Sequence, residues 1–130
     1  MKNRCAIISG GEYSCIDVDA GDFVIACDRG YEYAAKNNIV PDLVVGDFDS
    51  FSGKIKDGVA ILKQKREKDD TDTMTAVRYA VQEGYKDIRL YCALGGRLDH
   101  LYANLQAAAF AAQNGAQCII KDNSTVIIFI

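Results

Sequence analysis

The chain has 130 residues, 49% hydrophobic and 25% charged, which are ordinary proportions for one globular domain with a real core. A formal net charge of -3 offers no basic surface for nucleic acid, and no apolar run approaches the length of a membrane span. The five cysteines include no CxxC pair, and with a single histidine they provide no zinc-ligand spacing. Cys5, Cys27, Cys92 and Cys118 lie in or beside apolar runs, which predicts buried free thiols in a reducing compartment. The run after Met1-Lys2-Asn3-Arg4 is too short for a secretory core, so a cytoplasmic location is expected.

Apolar runs alternate with helical patterns along the chain. Cys5 to Ile8 reads as a first strand, closed by Gly10-Gly11, and Phe23 to Cys27 as a second, closed by Asp28-Arg29-Gly30. A short helix over Tyr31–Asn37 follows, with Asn38 as its C-terminal cap. Leu43 to Val45 is a third strand, closed by Gly46-Asp47, and Val59 to Leu62 a fourth. The next helix opens at Thr71 or Asp72, with Thr71 a good N-cap and Met74, Val77 and Val81 at helical spacing; Gly84 ends it. Ile88 to Leu94 is a fifth strand, closed by Gly95-Gly96. The longest helix spans Leu98–Asn114, with Leu98, Leu101, Leu105 and Ala108 or Ala109 as its expected buried stripe. Cys118 to Ile120 and Thr125 to Ile130 complete seven strands. Strands that are apolar throughout and alternate with helices predict an α/β domain over 1–130, its mostly parallel sheet covered on both faces. Ending on the apolar strand Val126-Ile127-Ile128-Phe129-Ile130 leads us to expect that the chain continues naturally beyond this point.

In a parallel sheet the segments after each strand converge on one edge, where ligands bind near the reversal of strand order. Here those segments hold Gly10-Gly11, Asp28-Arg29-Gly30, Gly46-Asp47-Phe48-Asp49-Ser50, Lys68-Asp69-Asp70-Thr71-Asp72 and Gly95-Gly96-Arg97-Leu98-Asp99-His100. Asp47 and Asp49 point the same way in an extended loop and are hard oxygen ligands of the kind that hold Mg²⁺. Asp69 and Asp72 share one side of a helix start. Gly95-Gly96 lets backbone approach a ligand, N–H groups there and at the following helix start can hold phosphate oxygens, and Arg97 adds a fork-shaped donor. Each element also has a plain structural reading: a solvated DxD loop, helix capping at Asp69–Asp72, a tight turn at Gly95-Gly96, and a solvated face at Lys63, Lys65, Arg66 and Lys68. Their joint placement at one edge favours a phosphate-and-metal site. No GxxxxGK[ST] loop and no GxGxxG turn is present.

The string DLVVGDFDS, then KDDTD opening one helix and ALGGRLDH opening the next, resembles the thiamine pyrophosphokinase family. ACDRG (Ala26 to Gly30) is similar to that family's ADGG-like turn, with Arg29 replacing the first glycine. The resemblance implies a Rossmann-like, ATP-handling three-layer domain, without the family's C-terminal β domain that completes the homodimer and much of the thiamine pocket. It implies Mg²⁺ contacts for Asp47, Asp49 and Asp72, and catalytic roles for these together with Asp69 and Asp99. It places Asp28, Arg29, Gly46, Ser50 and Lys68 on the nucleotide side, with Thr71, Gly95, Gly96 and Arg97. The implied reaction is Mg²⁺-dependent transfer of the terminal diphosphate of ATP to the hydroxyl of thiamine, releasing AMP, with Asp99 or Asp69 taking the hydroxyl proton. A pyrophosphokinase acting on another alcohol, such as a pterin, and a nucleotide-binding domain without catalysis remain as alternatives. An aspartate-nucleophile phosphatase ranks low, because its DxD usually follows the first strand rather than the third.

Overall fold

The computed structural model describes residues 4–46, 59–63 and 71–130. The elements in order are β1 (Arg4–Ile8), β2 (Asp22–Cys27), α1 (Gly30–Lys36), β3 (Leu43–Gly46), β4 (Ala60–Lys63), α2 (Asp72–Gln82), β5 (Asp87–Tyr91), α3 (Leu98–Gln113), β6 (Gln117–Lys121) and β7 (Val126–Phe129). One seven-stranded sheet runs β4-β3-β2-β1-β5-β6-β7. Every pairing is parallel except β6 with β7, which is antiparallel.

The near-continuous apolar strands follow from burial on both faces. In β1, Cys5 and Ile7 join a core shared with α2 and α3, while Ala6 and Ile8 join a second core shared with α1. The β5 side chains divide in the same way, Ile88 and Leu90 to the first core and Tyr91 to the second. Helices therefore cover both faces of the sheet. Ile16 and Val18, in the segment joining β1 to β2, pack against this second core.

Arg4 and Asp22 are register partners at the starts of β1 and β2, and the Arg4 guanidinium donates twice to the Asp22 carboxylate at 2.9 Å. That bidentate pair pins the amino-terminal edge and leaves the opposite edge to the loops.

Two expectations need correction. β5 ends at Tyr91 rather than Leu94, because Cys92 takes the left-handed conformation (φ 57°) and turns the chain out of the sheet. Leu98 is 79% exposed, so it is not part of the α3 core stripe. α3 buries the expected Ala108 together with Asn104, Ala107 and Ala111, small side chains that let it lie close to the sheet and to α2.

Cys5, Cys27, Cys92 and Cys118 are buried free thiols, and Cys15 is exposed. Burial, followed by the charge of Asp87, pushes the Cys118 thiol up to about 12. A thiol-reactive dye at neutral pH will modify Cys15 rapidly and the other four only on unfolding. More than one fast equivalent would show that the buried set is misassigned. Among the described residues, no helix is long and apolar enough to cross a membrane.

Candidate functional site

Strand order reverses between β1 and β5. β2, β3 and β4 lie to one side of β1, and β5 and β6 to the other, so the carboxyl end of β1 sits at the switch point where open α/β sheets bind ligands. The residues after Ile8 bridge both sides. Ser9 and Gly11 donate through their backbone N–H groups to Tyr91 O (2.9 Å) and Cys92 O (3.1 Å). Gly10 lies against Arg29, where an added Cβ would be 3.3 Å from the Arg29 Cβ.

The β2–β3 side gathers Asp28, Gly46, Thr71 and Asp72. Asp28 holds a left-handed backbone (φ 49°), which aspartate tolerates better than most residues, and its N–H donates to Val45 O at 3.0 Å. Gly46 ends β3 and is buried. A Cβ there would lie 3.5 Å from Asp72 Oδ2 and 3.7 Å from the Asp28 Cα. The Asp72 carboxylate is thus turned over the end of β3, beside the β2 turn. Thr71 caps α2 as expected, accepting from Met74 N at 3.1 Å, and fixes where the helix begins. The Cys27 thiol beneath is pushed up by burial first and then by the charges of Asp72 and Asp28.

The β5 side is more open. Gly95 and Gly96 adopt φ of 79° and 68°, conformations that suit glycine and carry the chain from β5 to α3. Arg97 is the N-cap residue of α3, and its Nη2 donates to Asp99 Oδ2 at 2.8 Å. Desolvation is the largest single influence and pushes the Asp99 carboxyl up, but the Arg97 guanidinium, the His100 amide and the His100 ring together outweigh it and hold the group below the usual carboxylate range. With Leu98 and Tyr102, Arg97 and Asp99 line a shallow open concavity. The structure therefore places these predicted residues at the exposed start of α3, after β5.

Asp47, Asp49, Ser50, Lys68 and Asp69 lie outside the described residues. Among the described residues, no three His, Cys, Asp or Glu side chains gather as a metal set.

Residues 18–120 match the family described as "Thiamin pyrophosphokinase, catalytic domain". The chain belongs to this family. It is 28% identical over 110 residues to the thiamine pyrophosphokinase of Bacillus subtilis (strain 168), covering 77% of this chain and 51% of that protein. A thiamin pyrophosphokinase family protein from Enterococcus faecalis has a solved structure that superposes with a TM-score of 0.81 at 29% identity, over 95% of this chain and 63% of that one. The Bacillus subtilis thiamine pyrophosphokinase structure superposes with a TM-score of 0.79 at 22% identity, over 92% of this chain and 61% of that one, a likeness of fold. The chain spans about half the length of the curated relative that it matches.

Three features of this domain escape motif reading. Glu12 sits against Gly95, where a Cβ would lie 3.3 Å from the Glu12 Cδ. Asn104, buried in α3, donates from Nδ2 to Ala93 O at 2.9 Å and ties the helix to the chain leaving β5. The Ser9 and Thr73 hydroxyls meet at 2.8 Å. Only the Gly10-Gly11 turn next to Glu12 gives any signal in the sequence, since no motif contains both partners of either of the other two contacts.

Proposed function

We propose that the chain supplies the nucleotide and metal half of a Mg²⁺-dependent diphosphate transfer from ATP to the primary hydroxyl of thiamine, yielding thiamine diphosphate and AMP. The observation that carries the reading is the Asp72 carboxylate turned over Gly46 beside Asp28 at the carboxyl edge of the sheet. Family membership supports the reaction class.

In this transfer the thiamine oxygen attacks the β-phosphorus of ATP, the bond from that phosphorus to the α,β-bridging oxygen breaks, and AMP leaves with the bridging oxygen. The hydroxyl proton passes to a carboxylate or to water. The donor set fits Mg²⁺, since Asp72 offers a hard oxygen at the end of β3 and Asp47 follows Gly46 directly in the chain. Asp72, Asp47 and Asp49 would hold the ion. Bound there, Mg²⁺ neutralises developing phosphoryl charge.

The chain's own task is positioning. Gly96, where an added Cβ would meet nothing within 4 Å, leaves backbone open to an approaching phosphate, and Lys68 and Ser50 would add nucleotide contacts. Arg97 and Asp99 orient each other. Asp99 or Asp69 is the carboxylate that takes the hydroxyl proton. The same reading carries the Rossmann-like character of the domain, a homodimer and a cytoplasmic location.

Calorimetric titration of the chain with ATP tests it. ATP binds more tightly with Mg²⁺ than with chelator, and thiamine alone binds little. Equal ATP affinity in the two conditions, or none in either, would overturn the reading.

A further inference from the structure

A buried polar junction lies directly beneath the candidate site. Ser9 Oγ and Thr73 Oγ1 are 2.8 Å apart, and the two residues are 2% and 6% exposed. Cys27, itself only 1% exposed, contributes its thiol, whose Sγ donates to the Asp72 carbonyl at 3.6 Å. These three side chains come from the end of β1, the end of β2 and the first turn of α2.

Apolar packing does not require hydroxyls here. Valine has nearly the shape of threonine, and a buried hydroxyl left unpaired costs about 1–3 kcal/mol. A paired hydroxyl supplies direction that apolar contact lacks. α2 otherwise meets the sheet through apolar contacts, with Ala76, Val77 and Ala80 in the core, Met74 and Val81 packed against it and the Tyr79 ring stacked on Phe23 of β2, and such contacts are less directional than a hydrogen bond. Each residue accounts for about 100° of helix rotation, so Asp72 swings with any turn of α2. The Thr71 cap sets where α2 begins but not how it is rotated against β1 and β2.

We infer that the Ser9–Thr73 pair, backed by Cys27, is a positioning device that locks the rotation of α2 and so holds the Asp72 carboxylate over Gly46. The inference rests on Asp72 acting as a metal ligand in diphosphate transfer. Ser9 and Thr73 touch no ligand in this account, and they act through Asp72. Partners that orient a metal ligand from behind typically cost about 10–100-fold in metal affinity or activity when removed.

The test compares ATP affinity with Mg²⁺ and with chelator, together with the thermal midpoint, in the parent chain and in Thr73→Val, Thr73→Ser, Ser9→Ala and Val77→Ala. Thr73→Val and Ser9→Ala are expected to lose roughly tenfold or more of the Mg²⁺-dependent affinity with chelator-condition binding unchanged. Thr73→Ser, which keeps the hydroxyl, restores most of that loss. Val77→Ala lowers the thermal midpoint through a core cavity yet keeps the Mg²⁺ response. The inference is overturned if Thr73→Val, or Ser9→Ala should the former not fold, keeps the parent Mg²⁺ response. It is equally overturned if Val77→Ala loses that response in proportion to stability. A parent chain whose ATP binding ignores Mg²⁺ removes the functional reading itself, and this inference with it.

Discussion

Asp72→Asn is expected to eliminate the Mg²⁺-dependent part of ATP binding while the chain stays folded. Asparagine keeps the size of the side chain and one oxygen, but it removes the charge over Gly46, where Asp72 Oδ2 approaches the end of β3. Because loss of a mere orienting partner costs about 10–100-fold, loss of the ligand itself is expected to exceed about 100-fold in Mg²⁺-dependent affinity. The stability cost is small by comparison. Asp72 is the acidic residue in the first turn of α2, where a carboxylate interacts with the helix dipole by about 0.3–1 kcal/mol. Thr71 remains to cap the helix. Function and stability thus separate by more than a factor of two in free energy. Calorimetry at several Mg²⁺ concentrations, beside a thermal melt, reads both. An Asp72→Asn chain with the parent's Mg²⁺ response shows that the ion sits elsewhere.

The parallel strands were legible because burial on both faces leaves little room for polar residues, so β1, β2 and β3 stand out as unbroken apolar runs. The same signal misleads at the end of β5. Cys92, Ala93 and Leu94 are as apolar as the strand before them, yet a single left-handed residue at Cys92 ends the ladder. Periodicity placed Leu98 on the buried face of α3, but the face is set by Asn104, Ala107, Ala108 and Ala111, whose small size allows close approach and carries little hydrophobic signal. At the site, Asp28, Gly46 and Asp72 were readable because each follows or opens a recognisable element, and the fold brings those ends together. The Ser9–Thr73 contact was not readable, since its partners are 64 residues apart and either hydroxyl alone is ordinary. Arg97 and Asp99 illustrate a different limit. Their identity was plain, but their mutual ion pair, which changes what Asp99 can do, depends on the local geometry of the α3 start.

Gly30→Ala is expected to give the largest loss of stability of any single methyl addition among the described glycines. Gly30 opens α1 against the carboxyl end of β1. A Cβ there would collide with the Ile8 carbonyl oxygen and lie 2.9 Å from the Ile8 carbonyl carbon and 3.2 Å from Ser9 O. All three atoms are backbone. Ile8 is hydrogen-bonded within β1 between β2 and β5, at the centre of the sheet, so it has little freedom to retreat. Overpacking against side chains typically costs about 1–3 kcal/mol, and a clash with central backbone is expected at or above the top of that range. In a domain of ordinary stability, roughly 5–15 kcal/mol, that is a substantial fraction. Gly21→Ala is the matched control. A Cβ at Gly21 meets nothing within 4 Å, so the substitution should be neutral or stabilise by about 0.4–1 kcal/mol through the unfolded chain. Denaturant midpoints of the two variants decide the matter: similar values mean that α1 can shift freely against β1. If α1 does yield instead of the fold, the displacement carries Asp28 and Arg29 with it, and Mg²⁺-dependent ATP binding falls even though the midpoint is preserved. Measuring both on one sample therefore separates a rigid α1–β1 junction from a compliant one, and either result shows how firmly the β2 turn is held beside Asp72.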